Sequence, residues 1–178
     1  KGSEHEAAHP KISEEDLIFD KTYTCPVCDK MFKAKNVKAG KVKLNSMDSD
    51  LRPRYQMMDS LKYDAVACPN CGYAALNRFF SYMTSVQAKL IRENISLSFR
   101  GLPEEGAVYS YDEAIARHKL ALVNTIVKRS KLSEKAYTCL KTAWLIRGKY
   151  ETLPAETPDF LNEESTPGRR DGVLEECI

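Results

Sequence analysis

The spacing of hydrophobic and polar residues changes character near residue 72. Before this point it alternates: residues 32–35 are Phe-Lys-Ala-Lys, and residues 41–44 are Lys-Val-Lys-Leu. Alternation with a period of two predicts strands that have one solvated face and one packed face. Gly40 lies between the two runs, at a position that favours a hairpin turn. The pattern therefore predicts a lysine-rich β-hairpin.

Two shorter apolar segments lie on either side of this hairpin. Residues 17–19, which are Leu-Ile-Phe, predict a strand or a packed arm. Residues 62–67 predict a further strand, with Tyr63, Ala65 and Ala67 on one face. Residues 45–60 show little periodicity and contain turn formers, so a loop is predicted there.

Helical spacing dominates after residue 72. Five apolar residues recur at intervals of three and four and predict a helix face: Ala75, Leu76, Phe79, Phe80 and Met83. Thr84 and Gln87 form a capping-box pattern, which predicts that a second helix begins there and extends to about residue 98.

Two longer helices are predicted beyond the glycine- and proline-containing loop that follows. Ser110 is a suitable N-cap for a helix over residues 111–131, and Ser133 is one for a helix that ends near Gly148. The tight turn between them predicts an antiparallel helical hairpin. Alanines along both helices allow a close approach, as in tetratricopeptide-type units, although one pair does not predict an extended repeat array.

Together these patterns predict an α+β chain, in which a small zinc-stabilised antiparallel β element is followed by a mostly helical, tetratricopeptide-like domain. The predicted order is a flexible tail over residues 1–16, a four-cysteine zinc-ribbon-like module over 17–73, a helical domain over 74–150, and a segment over 151–178 that combines a linker with the start of a truncated helix.

Composition narrows the class of protein. The 178 residues are 43% hydrophobic and carry a formal net charge of +2, so bulk charge does not favour coating a nucleic acid. No apolar run reaches the roughly 18 residues of a transmembrane helix, so no membrane partner is predicted. The polar N-terminal residues lack the apolar core of a signal peptide, which favours a cytoplasmic location and reduced thiols.

Two Cys-x-x-Cys pairs form the strongest chemical signal: Cys25 with Cys28, and Cys68 with Cys71. Each pair lets two thiolates reach one metal ion from a tight turn, and two pairs complete a tetrahedral zinc site. Residues 29–67 exceed the roughly 15–20 residues between the pairs of compact zinc ribbons, and the hairpin and loop predicted there account for the excess.

Two other interpretations of the cysteines were weighed. A redox pair would need a parallel βαβ context, which the pattern does not predict. A rubredoxin-type iron site uses the same four ligands, and the spacing does not distinguish iron from zinc. In either metal site four protein thiolates leave no open coordination position, so the metal is predicted to be structural.

The lysines of the predicted hairpin are candidates for contact with the phosphates of a nucleic acid: Lys33, Lys35, Lys41 and Lys43. A stacking platform would also need interleaved aromatic residues, and only Phe32 lies within the run. The simpler interpretation, a solvated strand face, is favoured.

Three further features were considered for catalysis or binding. Asp48 and Asp50, close to Arg52 and Arg54, could bind a metal or act as acid and base, but turn formation is the favoured interpretation. His118 lies within a helical pattern and is predicted to be a hydrogen-bonded packing residue. No catalytic constellation is recognisable, so the chain is not predicted to be an enzyme.

The last predicted helix carries a candidate partner surface. Arg147 and Tyr150 follow Trp144 at intervals of three, and aromatic residues and arginine commonly anchor interfaces. The simpler alternative places Trp144 in the core and uses Arg147 to cap the helix C-terminus.

Several motifs in this order resemble the bacterial family called domain of unknown function 2225. They are Tyr-Thr-Cys-Pro-Val-Cys at 23–28, Asp-Ser-Asp-Leu-Arg-Pro-Arg-Tyr at 48–55, Cys-Pro-Asn-Cys-Gly-Tyr-Ala at 68–74, Tyr-Asp-Glu-Ala at 111–114 and Ala-Trp-Leu-Ile-Arg at 143–147. The resemblance implies a bacterial cytoplasmic protein with a zinc-ribbon-like start, tetratricopeptide-like helices and further helices beyond those of this chain. It carries no established activity.

The sequence therefore predicts a non-enzymatic module with structural zinc that binds a protein partner. The alternative is a nucleic-acid-binding protein that uses its lysine-rich hairpin.

Overall fold

The computed structural model describes residues 12–154, which form three antiparallel strand pairs and three α-helices. The strands are β1 (Ile18–Thr24), β2 (Met31–Val37), β3 (Leu44–Met47), β4 (Pro53–Tyr55), β5 (Ala65–Ala67) and β6 (Ala74–Leu76). The helices are α1 (Ser85–Ile91), α2 (Tyr111–Val127) and α3 (Leu132–Glu151). This mixture of strand pairs and helices confirms the predicted α+β class.

The predicted lysine-rich hairpin around Gly40 is wrong. Strand β2 pairs with β1, so that Tyr23 lies opposite Phe32, and these two rings stack with centroids 5.8 Å apart. Lys41 instead lies in a turn, where its N–H donates to Lys38 O at 2.8 Å. The buried contact between the two rings stabilises the pairing of β1 with β2. Pairing β2 with the Lys-Val-Lys-Leu segment at 41–44 would not provide such an aromatic contact.

The predictions around residue 70 also need correction. Residues Ser60–Tyr63 form a 3₁₀ turn, and the strand that follows is only Ala65–Ala67. The helix predicted from residue 75 is wrong, because Ala74–Leu76 forms a fully buried strand against β5 and is followed by a 3₁₀ turn. A short run that is buried on both faces is apolar throughout, so its pattern does not separate strand from helix.

Two of the three helices begin where the sequence predicts. The capping box at Thr84 and Gln87 is confirmed, and α1 continues into a π-helical turn over Arg92–Ser96. Helix α2 begins after Ser110, as predicted, with Glu113 completing a second capping box. Helix α3, however, begins at Leu132 rather than after Ser133.

Helices α2 and α3 form the predicted antiparallel hairpin. At its closed end Lys128 Nζ lies 2.7 Å from a carboxylate oxygen of Glu134, and at its open end Lys149 pairs with Asp112. Helix α2 also packs against β5 and β6, so it links the strand pairs to α3. Within the described part of the chain, no helix has both the length and the apolar character needed to cross a membrane.

One hydrophobic cluster joins the two predicted modules. It contains Tyr23 and Phe32 from the first strand pair, Tyr73 from the turn between β5 and β6, and Ile91 and Ile95 from the α1 region. The predicted boundary between residues 73 and 74 stays a prediction, but no gap in packing separates its two sides. The predicted tail and linker fall largely outside the described residues.

Candidate metal centre

A first tight turn, the first knuckle, spans residues 25–30 between β1 and β2. The N–H of Cys25 donates to Lys30 O at 3.0 Å, and the N–H of Asp29 donates to Cys25 O at 2.9 Å. Asp29 adopts a left-handed conformation with φ of 58°. These bonds bend the chain so that both cysteines of the pair lie on its inner side.

A second knuckle, residues 68–73, connects β5 and β6 with the same bonds in the same order. The N–H of Cys68 donates to Tyr73 O at 2.7 Å, and the N–H of Gly72 donates to Cys68 O at 3.1 Å. Gly72 has φ of 72° and so occupies the position that Asp29 occupies in the first knuckle. The two knuckles therefore have the same local backbone structure, and each connects the two strands of an antiparallel pair.

The two knuckles face each other and bring the four predicted ligands together. All four Sγ atoms lie within 4.8 Å of one another. Those of Cys25 and Cys71 are 3.5 Å apart, and those of Cys28 and Cys68 are 3.7 Å apart. Sulfur atoms at the corners of a tetrahedral zinc site, each about 2.3 Å from the metal, are about 3.8 Å apart. The donor set and its spacing thus fit a metal ion.

Hydrogen bonds among the thiols determine where a negative charge is held. The hydrogen bonds with Cys25 and Cys71 lower the pKa of Cys68 far below its ordinary value. The hydrogen bond with Cys68 raises the pKa of Cys25, and the hydrogen bonds with Cys25 and Cys68 raise the pKa of Cys71. Neighbouring thiols therefore stabilise one thiolate, whereas four close thiolates require a cation.

The π-helical turn after α1 holds both knuckles from outside. Arg92 Nη1 donates to Val27 O at 2.7 Å, and Ser96 Oγ donates to Cys71 O at 2.8 Å. Each bond satisfies a carbonyl of the turn that presents the thiolates. Such contacts fix the orientation of ligands, as outer-shell residues do around metal sites.

Gly72 is enclosed by two further residues from the helical part. Asn124 of α2 donates its Nδ2 to Gly72 O at 3.0 Å. A Cβ at Gly72 would lie 2.6 Å from the Phe99 ring, closer than side-chain atoms approach each other. Glycine is therefore required here both by the backbone conformation and by the close approach of Phe99.

The four candidate lysines do not share one surface. Lys33 lies on β2 and is exposed, whereas Lys41 and Lys43 lie outside any strand. Lys35 is paired with Glu104, and its Nζ lies 4.8 Å above the centre of the Tyr109 ring. Its side chain is only 11% exposed, so it stabilises the fold rather than forming part of an exposed surface.

Asp48 and Asp50 form the predicted turn and also bind residues of α3 and β4. Asp50 accepts hydrogen bonds from Trp144 Nε1 at 2.8 Å and from Arg147 Nη1 at 2.9 Å. Asp48 lies 2.8 Å from Arg147 Nη2 and 2.7 Å from Arg54 Nη2. The hydrogen bond from Arg54 lowers the pKa of Asp48. These carboxylates are paired with arginines, which gives them a structural role.

The same network extends to the end of α3. Glu151 accepts from Arg54 Nη2 at 2.8 Å and from Arg52 Nη1 at 3.2 Å, and Arg52 Nη2 lies 3.0 Å from Asp59. Arg52 is only 1% exposed. Sequence reasoning noticed the charged loop but not its partners, because the charges on α3 lie about a hundred residues further along the chain.

His118 follows the simpler interpretation, whereas Arg147 does not. His118 is fully buried, contacts Ala114 O through Nδ1 at 2.8 Å, and has its pKa lowered to about 4 by burial. It is a packing residue, as predicted. Arg147 binds the acidic turn rather than capping its own helix, and Tyr150 is 49% exposed.

The family model described as "Uncharacterized protein conserved in bacteria (DUF2225)" matches residues 18–165, a range that includes both knuckles and all three α-helices. No curated protein matches the chain, and no solved structure matches it.

Proposed function

This chain belongs to the bacterial family of uncharacterised proteins DUF2225, and we propose that it is a zinc-binding protein whose metal holds a helical surface in position for a protein partner. The observation that carries the proposal is the meeting of two equivalent knuckles with all four Sγ atoms within 4.8 Å. A site of four thiolates is typical of structural zinc.

The role of the zinc is structural rather than catalytic. Four thiolates fill the tetrahedral positions and leave none for water or substrate. Cys25, Cys68 and Cys71 are at most 5% exposed, which further supports a closed site. Iron in the same tetrahedron is chemically compatible, and elemental analysis of the purified protein distinguishes the two metals.

The helical hairpin is the favoured partner surface. Its residues include exposed apolar side chains that no described element covers: Val123, Ile126, Leu132, Leu140 and Tyr150. Exposed apolar residues that cluster on one element are common at protein interfaces. A paired-helix unit with such a surface is similar to tetratricopeptide units, which bury their faces against neighbouring helices. Tyr150 fits the partner role better than Arg147, which is engaged by Asp48 and Asp50.

Nucleic-acid binding is the second candidate. Its support is the exposure of Lys33, Lys41 and Lys43. The engagement of Lys35 with Glu104 reduces the charge available for phosphates. A cytoplasmic location is part of both proposals, because a reducing compartment keeps the thiols available for metal.

Metal analysis tests the zinc proposal directly. We expect protein purified without chelators to contain about one zinc per chain, since the site has one complete tetrahedral ligand set. Elemental analysis that finds mainly iron would replace zinc by a rubredoxin-type site. Less than about half an equivalent of either metal would contradict the metal centre itself.

Site-specific cross-linking in bacterial cells separates the two partner classes. A photoreactive amino acid at Tyr150 should give a discrete protein adduct, and the same residue at Lys33 should give none with nucleic acid. Nuclease-sensitive adducts at Lys33 that disappear as salt rises would favour the second candidate. Equal labelling at Tyr150 and at exposed Met31 would contradict a specific partner surface on the hairpin.

A further inference from the structure

A cleft of about 500 Å³ lies away from the metal centre, between the β3–β4 hairpin and α3. Its walls come from the end of β2, the loop after it, the β3–β4 hairpin and α3, and the segment over residues 60–64 closes its base. This volume is within the range of about 300–1,000 Å³ that small-molecule sites occupy. None of the sequence candidates Asp48, Asp50, Arg54 and His118 lines it.

Asp64 and Lys141 are the only charged residues among those that line the cleft in the described structure. They form an ion pair with each other, and their side chains are 31% and 11% exposed. Asp64 is fixed because its carbonyl oxygen accepts from the N–H of Asn77 at 2.7 Å. Lys141 Nζ lies 4.9 Å from the centre of the Tyr137 ring. The cleft therefore has one positive and one negative group at the same place.

The ion pair between Asp64 and Lys141 favours a ligand that carries both a positive and a negative charge. An anion bound to Lys141 without a positive group would leave the partly exposed Asp64 carboxylate with a weakened partner. A cation bound to Asp64 would do the same to Lys141. Leaving a buried charged group without a partner is costly. A ligand that carries both charges close together keeps both protein groups satisfied.

The rest of the cleft is lined by apolar and polar side chains in comparable numbers. Val37, Val42 and Trp144 line its walls, and Met47 and Leu51 do so on the β3–β4 hairpin. Met47 is 54% exposed and Leu51 is 68% exposed, so both have apolar surface that a ligand could cover. Methionine adapts to ligands of different shape. These walls favour an apolar group on the same ligand.

Leu51 is held in an unfavourable conformation. Its φ is 67°, in the left-handed region that disfavours a branched apolar residue in a turn. Glycine or asparagine would be less strained there. A strained and exposed leucine next to a cleft is typical of a residue kept for binding rather than for stability.

We propose that this cleft binds a zwitterionic α-amino acid with an apolar side chain. The α-ammonium group pairs with Asp64, the α-carboxylate pairs with Lys141, and the side chain contacts Met47, Leu51 and Trp144. This site is independent of the proposed metal and partner functions, and it would make the protein responsive to a small metabolite.

Calorimetric titration of the metal-loaded full chain tests the charge requirement. The probes are L-leucine and L-phenylalanine, together with N-acetyl-L-leucine, which lacks the ammonium group, and isoamylamine, which lacks the carboxylate. We expect at least one of the two amino acids to bind at least about tenfold more tightly than either leucine analogue, because each analogue leaves one charge of the pair without its partner. Equal binding of amino acids and analogues, or no binding of either amino acid at millimolar concentration, would overturn the proposal.

Two variants separate binding from folding. Leu51→Asn removes the apolar contact and relieves the left-handed strain, so it should lower affinity at least about tenfold while the unfolding midpoint stays the same or rises. Lys141→Met should abolish binding, whereas Lys149→Met, which removes a lysine paired with Asp112 outside the cleft, should bind as the wild type does. Unchanged affinity in Leu51→Asn or in Lys141→Met would also overturn the proposal.

Discussion

The guanidinium group of Arg52 occupies the space that a side chain at Gly148 would need. A Cβ on Gly148 would lie 2.4 Å from Arg52 Nη2 and 2.9 Å from Tyr111 Cε1. Arg52 reaches this place to bind Asp59 and Glu151 at once. A buried arginine thus crosses α3 at the one position in its last two turns where the helix has no side chain.

Replacing Gly148 with alanine should therefore destabilise the protein. Alanine in a helix is favoured over glycine by up to about 1 kcal/mol. Overpacking a filled site costs about 1–3 kcal/mol, and displacing Arg52 also weakens its buried ion pairs. We expect a net loss of about 1–3 kcal/mol in the free energy of unfolding, measured by urea denaturation.

Gly40→Ala is the matched control, because no atom lies within 4 Å of a Cβ at that position. Its stability should change by less than about 0.5 kcal/mol or rise slightly. Combining Gly148→Ala with Arg52→Met should give less than the sum of the single losses, since both changes disturb one contact. A Gly148→Ala protein as stable as the wild type would show that Arg52 has room to move.

Losing one metal ligand should unfold the region around the centre. Structural zinc binding contributes about 10–16 kcal/mol in small peptides, comparable to the whole stability of a domain, about 5–15 kcal/mol. Cys28→Ser should therefore lose zinc and make residues 17–73 sensitive to limited proteolysis. Cys139→Ser, at a cysteine outside the cluster, is the control. Proteolysis of Cys28→Ser at the wild-type rate would contradict a structural metal.

Substitutions at equivalent positions of the two knuckles should change the free energy of unfolding in opposite directions. Gly72→Ala combines a left-handed conformation with the contact to Phe99 and should lose about 2 kcal/mol or more. Asp29→Gly removes the strain of the same left-handed conformation in the first knuckle. The variant should be as stable as the wild type or more stable by a few tenths to about 1 kcal/mol. Chemical denaturation of the two zinc-loaded variants measures both values. Equal losses at the two positions would mean that the knuckles are not equivalent.

Acid should release the β3–β4 hairpin from α3. A hydrogen bond from Arg54 lowers the pKa of Asp48, and although burial acts to raise the pKa of Asp50, hydrogen bonds from Arg147 and Trp144 outweigh it. A carboxyl group whose folded pKa is lowered stabilises the fold above its ordinary value of 3.8, and this contribution is lost as the pH falls through the folded pKa.

Fluorescence of Trp144, the single tryptophan of the chain, reports this release because its Nε1 donates to Asp50. The emission spectrum of Trp144 bound to Asp50 should stay unchanged from pH 7 down to about pH 4 and change below that pH. Because acid also removes metal from thiolates, the Asp48→Asn/Asp50→Asn variant at pH 7 provides the control. Its emission should already differ from that of the wild type, and identical spectra would contradict the proposed contact.

The sequence was most informative where chemistry is local. The two cysteine pairs predicted a cluster of four thiols that fits a metal ion, since each pair needs only its own tight turn to converge. The capping box at Thr84 and the N-cap at Ser110 likewise depend on side chains that act within three residues, so both were recognised from the sequence. The equivalence of Asp29 and Gly72 could also have been inferred from their places after the second cysteine.

Features that depend on distant partners could not be inferred in this way. Strand β2 forms where the alternation predicts a strand, but Lys35 on the predicted wet face is nearly buried. Whether β2 pairs with the chain before or after it depends on the fit of Tyr23 against Phe32. Asp50 and Trp144 are 94 residues apart in the chain, so nothing local indicates that they meet. The cleft arises only when β3–β4 and α3 are both in place, and its lysine had no pattern that distinguished it from a surface residue.

The division of the metal site between two knuckles also sets an order of events during synthesis. Cys25 lies 46 residues ahead of Cys71, and neither pair can complete a tetrahedron without the other. As the chain leaves the ribosome, the proposed metal could be held by all four thiolates only after the second knuckle has emerged, and its capture would then close a loop of that length in one step. The growing chain is therefore exposed to thiol oxidation during a defined interval, which slower translation of residues 29–67 would lengthen.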